Sequence, residues 1–188
     1  MTTKPKENPR EQDPVRWYVM RAYKQEKKAE ECLASEAGLP YFIAKKYVVR
    51  EYHGVKSKHL VPVIPGMVFV HASRAAIVDF KRGCNMLQFV TWKTREGRIE
   101  YLWVPEGQME NFIKVAEQYD ADTAYFRPDE IANLEAGARV RILGGELDGV
   151  CGVFMRVKGK RNKRLVVVLD GIMAAATEVQ PQLIEVIG

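Results

Sequence analysis

The chain changes hydrophobic period several times, and each change marks an element. Val15, Trp17 and Val19 alternate with polar residues, which predicts a strand rich in β-branched and aromatic side chains. Ala29, Cys32, Leu33 and Ala37 then recur at helical spacing, with Glu26, Lys27, Glu30 and Glu31 outside and Gly38-Leu39-Pro40 as the stop. Strand periodicity returns over 41–52, interleaved with Lys45, Lys46 and Arg50, and His53-Gly54 marks a turn. The segment 61–70 is almost wholly apolar. Val68-Phe69-Val70 predicts a buried strand, while Pro62 and Pro65-Gly66 before it demand an edge or a bulge, because proline lacks a ladder donor.

Ser73 caps a short helix carrying Ala76, Ile77 and Phe80, which stops near Gly83. Strands over 86–92 and 98–104 follow, joined by a turn at Arg95-Glu96-Gly97. Pro105 opens a helix with Met109, Phe112, Ile113 and Ala116 at i, i+3, i+4 and i+7. The expected first module, residues 15–118, is an α+β sandwich of helices on a mainly antiparallel sheet. Residues 119–133 are polar without a strong period and read as a linker. Beyond them glycines punctuate five short β-rich pieces, 138–143, 152–157, 164–169, 174–179 and 183–187, which predict a small all-β barrel over 134–188. Residues 1–14, polar and proline-rich, read as a disordered tail.

Composition narrows the function. In 188 residues, 29 Lys and Arg against 24 Asp and Glu leave +5, a mild excess that suits a polyanionic partner. The three cysteines, at 32, 84 and 151, form neither a disulfide framework nor a metal spacing. The amino terminus has no signal-peptide pattern and no apolar run approaches a bilayer span, so a cytoplasmic protein is expected. His53, His59 and His71 are scattered, Gly144-Gly145 lacks the Lys and Ser/Thr of a phosphate loop, and no carboxylate pair sits in an apolar run. The reading is a non-enzyme without metal or cofactor.

Three quotations carry a family resemblance. Trp17-Tyr18-Val19 precedes a charged helix; Ile64-Pro65-Gly66-Met67-Val68-Phe69-Val70 forms an apolar segment around Pro-Gly; Gly137 to Ile142 with Gly145, Gly149 and Gly152-Val153 makes a strand, a glycine-spaced turn and a second strand. In this order they resemble NusG-type transcription elongation factors: an N-terminal NGN-like domain followed by a small SH3-like KOW barrel. The match spans about 15–188. Ile64 and Met67 stand where that family usually has aromatics. Asp170-Gly171-Ile172-Met173 replaces the Ile-Phe-Gly-Arg of the general factor, which suggests a specialised antiterminator.

The resemblance implies docking on the clamp helices of the largest RNA polymerase subunit, with Ile64, Pro65, Met67, Phe69 and Phe89 as the expected contacts. It also implies a KOW domain that recruits a second partner, ribosomal protein S10 or Rho, through Ile172 and Met173, in a monomer without membrane contact. Basic clusters supply candidate contacts to non-template DNA or nascent RNA: Lys45, Lys46, Arg50, Lys56 and Lys58 against the single Glu51, and Lys160, Arg161, Lys163 and Arg164 around a turn. Lys24 joins them by family analogy. The alternative reading is a ribosome-associated or RNA-binding KOW protein. The glycines and Val166-Val167-Val168 predict that the last segment stays β-structured and leaves Ile64, Met67 and Phe69 unmasked.

Overall fold

The computed structural model describes residues 13–23, 25–35, 39–119, 123–131, 137–157 and 159–187. The chain begins with β1 (Arg16–Ala22), α1 (Glu26–Ser35), β2 (Tyr41–Phe42), β3 (Lys45–Tyr52), β4 (Val55–Pro62) and β5 (Met67–Ala72). Next come α2 (Arg74–Gly83), β6 (Leu87–Phe89), β7 (Thr91–Lys93), β8 (Ile99–Tyr101), β9 (Trp103–Val104) and α3 (Glu106–Ala116). The last third holds β10 (Ala124–Phe126), the one-turn α4 (Pro128–Ile131), β11 (Ala138–Ile142), β12 (Cys151–Met155), β13 (Arg164–Leu169), β14 (Met173–Thr177) and β15 (Ile184–Val186). Apart from residues 13 and 14, the tail read as disordered lies outside the described residues, as does Lys24.

The first sheet is antiparallel in the order β2-β5-β1-β6, with β9 also paired to β1. Strands β6 and β9 share one edge of β1: Met20 faces Phe89 on β6, and Trp17 faces Val104 on β9. The change-over occurs at Val19, whose carbonyl accepts from Val90 N–H at 2.9 Å and whose N–H donates to Leu102 O at 3.0 Å. Alternation along the strands gives the sheet two apolar faces. Tyr18, Met20, Val68 and Val70 pack with Ala29 and Leu33 of α1 and Ile77 of α2. Trp17, Val19 and Phe69 pack with Met109, Phe112 and Val115 of α3. Burial of each large apolar side chain contributes about 1.5–3 kcal/mol.

Local chemistry explains the element ends. Ser73 Oγ accepts from Ala76 N–H at 3.2 Å and caps α2. His53 and Gly54 both take positive φ, 49° and 76°, which closes the β3–β4 hairpin in the primed-turn conformation that matches strand twist. Gly66 also has positive φ, 73°, and a β-carbon there would lie 3.0 Å from Ala22 O. Its own carbonyl accepts from Ala22 N–H at 2.8 Å, so the loop before β5 is fixed against the end of β1. Gly66→Ala is expected to cost about 1–2 kcal/mol in thermal or denaturant unfolding, the strain of a side chain in the left-handed region.

The second sheet runs β10-β14-β13-β12-β11-β15, entirely antiparallel. Its five later strands follow the five predicted β-rich pieces. The added strand, β10, lies inside the segment read as a linker and pairs with β14 from Ala124↔Ala176 to Phe126↔Ala174. Three residues are too few to show a period, which is why the strand was not predicted.

The two sheets meet across α3. Leu165, Val167, Leu169, Met173 and Ala175 join Phe112 and Met109 in one continuous core. Tyr125 shares Ala175's side of the sheet, and its ring centroid lies 6.4 Å from that of Phe112. Polar ties frame this seam: Gln108 Nε2 donates to Asp170 Oδ2 at 2.8 Å, Cys151 N–H donates to Asn111 Oδ1 at 3.1 Å, and Lys114 Nζ donates to the Asp148 carbonyl at 3.0 Å. The last segment is β-structured, as expected, yet it does not stand clear of the first sheet. The expectation of an unmasked surface is overturned because α3 is apolar enough to be gripped from both sides.

Burial raises the Tyr125 phenol to about 12, with a smaller push from Tyr119. A folded pKa above the unfolded value near 10 means that the contribution is complete below pH 10 and is lost as pH rises through 12. Stability is therefore expected to fall between pH 10 and 12 more steeply in the parent than in Tyr125→Phe, as read by urea midpoints across that range.

Candidate nucleic-acid and protein interface

The five expected polymerase contacts do not form one surface. Ile64 and Met67 are half-buried and Pro65 is exposed. Together with Val19, Arg21, Val63, Val90 and Leu102 they line a cleft of about 380 Å³, whose far wall is Arg127, Asp129, Gly171 and Ile172. Phe69 is 1% exposed and packs on Phe112 with ring centroids 6.3 Å apart, so it is core; α3 covers the face that alternation left apolar. Phe89 belongs to the opposite face, where it meets Tyr18 edge-on at 5.6 Å. Its side was fixed by register with Met20, which the sequence does not display.

Ile172 and Met173 are also buried, at 4% and 1% exposure, so neither is open to a second partner in this arrangement. Ile172 forms part of the cleft wall facing Ile64 and Met67, and Met173 lies in the core beside α3. The apolar half of the segment read as a departure from the general factor, Ile172 and Met173, is thus used inside the molecule, while Asp170 and Gly171 are exposed.

Strands β3 and β4 form a two-stranded arm apart from both larger sheets. Lys46, Arg50, Lys56 and Lys58 are exposed on it, whereas Lys45 is drawn back to α1 by an ion pair with Glu30 at 2.5 Å. Register divides the cations: Lys46 and Arg50 lie on one side, Lys56 and Lys58 on the other, where Lys56 faces Glu51. Lys58 sits 4.1 Å above the Tyr47 ring. His59 Nε2 and Ser57 Oγ are 2.7 Å apart, a side-chain pair at the surface.

The second basic cluster separates in the same way. Arg161 and Lys163 are exposed and Lys160 is half-buried, near the turn before β13. Arg164 is only 4% exposed and lies 3.5 Å from Glu178, so it is a buried ion-pair residue at the start of β13 and not part of an open tip. Sequence reading also passed over Tyr101 and Trp103, although alternation along 99–103 places both on one side of the strand.

For nucleophilic chemistry the buried thiol of Cys84 is poorly placed. Burial, aided by the neighbouring Cys32, pushes Cys84 up to about 11. Among the described residues no group of three His, Cys, Asp or Glu could hold a metal ion, and no helix is long and apolar enough to cross a membrane.

A family model described as NusG, transcription termination factor nusG, matches residues 15–113, just over half of the chain. The chain belongs to the NusG family. That family is one of non-enzymatic transcription factors, and binding to RNA polymerase is its general property. A solved structure titled "Domain interaction in Thermotoga maritima NusG" is similar, with 16% identity, a TM-score of 0.42, and coverage of 93% of this chain and 98% of that one. No curated protein matches the chain.

Proposed function

We propose that this NusG-family transcription factor is an elongation factor that suppresses pausing or termination by holding RNA polymerase through the surface around Ile64, Pro65 and Met67. The supporting observation is the cleft itself, floored by Val19, Ile64, Met67, Val90 and Leu102 and bordered by Arg21. An amphipathic helix laid in an apolar groove is a common recognition mode, and a clamp helix of the largest polymerase subunit is the proposed occupant. A factor that binds the closed clamp better than the open, pause-prone one shifts the population toward the closed form. Residues 15–118 would form the docking unit and 134–188 the KOW unit, which recruits ribosomal protein S10 or Rho once it is released from α3. Tethering then raises the local concentration of that partner. The departure at Asp170 to Met173 supports an operon-specific role.

The test is co-purification of polymerase and ribosomes with the full chain after nuclease treatment, for the parent and for Ile64→Ser/Met67→Ser. Loss of polymerase from a folded double mutant is the expected result. Undiminished polymerase, or recovery of ribosomes alone from the parent, overturns the assignment and favours the ribosome-associated reading.

A further inference from the structure

We propose that the outer part of β8–β9, with the adjoining ends of β1 and α2, is a stacking platform for a single strand of nucleic acid. The platform is separate from the β3–β4 arm and does not depend on the polymerase contact.

Register with Tyr18 turns Trp103 toward the α1–α2 side of the sheet, and Tyr101, two residues earlier, shares that side. Both rings stay open, Tyr101 at 39% and Trp103 at 41% exposure. Three cations meet this aromatic row. The Arg16 guanidinium lies 4.3 Å from the Trp103 centroid, Arg74 lies 5.9 Å from Tyr101, and Lys81 Nζ lies 5.3 Å from Phe89. Phe89 and Tyr101 are themselves 4.6 Å apart, and Trp103 follows two residues later on the same side. Arg74 and Lys81 are two turns apart on α2 and bracket it along the helix.

Acidic groups do not cancel this charge. Asp13 Oδ2 is 3.6 Å from Arg74 Nε and also accepts from Ala75 N–H at 3.0 Å, which offsets one cation. Asp79 is engaged by Arg82 at 3.4 Å, and Glu100 points to the opposite side of its strand. Arg16 and Lys81 remain beside the rings.

This combination selects its occupant. An acidic protein surface would satisfy the cations and leave two aromatic faces in water. An apolar surface would cover the rings and strand Arg16 and Lys81 without water. A nucleic-acid strand supplies phosphate for the cations and a flat base for each ring, and stacking is indifferent to sequence because every base has a π-face. Tyr101 and Trp103 are about 7 Å apart along the strand, twice the per-strand rise of stacked DNA, which suits a stretched single strand and not a duplex.

The test measures anisotropy of fluorescein-labelled twelve-nucleotide oligo-dT and oligo-U with the full chain across a salt series, using heparin as a polyanion without bases. Thermal unfolding verifies that each variant is folded. Trp103→Ala and Tyr101→Ala are each expected to weaken oligonucleotide binding by on the order of tenfold, while Trp103→Phe keeps most of it. Arg16→Gln is expected to reduce the salt slope by about one. Heparin binding should be insensitive to the ring substitutions, and the dT and U arms tell a DNA strand from an RNA strand. The Trp103→Ala effect should persist in a chain that also carries Lys46→Gln, Arg50→Gln, Lys56→Gln and Lys58→Gln. Absence of oligonucleotide binding by the parent, equal binding by folded ring variants, or an equal loss toward heparin would overturn the platform.

Discussion

Phe112→Ala is expected to be the most damaging single truncation in the chain, at about 3–5 kcal/mol. Its ring is fully buried and lies within 6.2–6.4 Å of the rings of Phe42, Phe69 and Tyr125, so it contacts both sheets at once. Deletion leaves a cavity that neither side closes alone. The distinctive outcome is a change in cooperativity. In the parent the shared core couples the sheets, and probes of each should report one urea transition. In the variant the signals of Trp17 and of the second sheet should separate. Coincident transitions with an unchanged midpoint would show that α3 is not the joint between them.

The second large effect is functional. Ile172→Asp places a carboxylate where the side chain is 4% exposed, between the cleft and the core around α3. An unpaired charge there costs several kcal/mol, which the chain relieves by releasing the second sheet from the first. Under the proposed function, release uncovers the Ile64–Met67 surface. A site open only part of the time binds in proportion to the open fraction, so the variant should bind polymerase more tightly than the parent. Amide exchange should rise along α3 while the β11–β14 pairings persist. Equal or weaker polymerase binding by a released variant would count against the cleft as the docking surface.

Much of the fold was legible because its signals are local. Alternation through Val68, Phe69 and Val70 identified a strand with two apolar faces, Ser73 identified a cap, and His53-Gly54 identified the hairpin turn. The candidate site was legible only in part, since it depends on which distant element lies opposite. Nothing in the period of residues 64–69 says that α3 would claim Phe69 and leave Met67 at the cleft. Phe89 carries the same composition signal as Met67 but faces the other way, a consequence of register with Met20. Arg164 looked like its exposed neighbours, yet strand pairing carries it inside beside Glu178. Ile172 stood out as a departure from the family's pattern, while its use in covering the cleft required the tertiary arrangement.

The sharing of one β1 edge by β6 and β9 has a consequence for synthesis. Strand β1 cannot complete its ladder until the last strands of its sheet exist: Trp17 pairs with Val104 and its indole N–H bonds Glu106, 89 residues later. At roughly 5–20 residues per second, that interval is about 4–18 s of translation. Until its end Trp17 and Val19 leave an apolar edge with incompletely paired backbone, while β5 and then β6 hold the rest of β1. The nascent chain is therefore vulnerable to strand-to-strand association during this window, and slowing elongation just before codon 104 should lower its soluble yield.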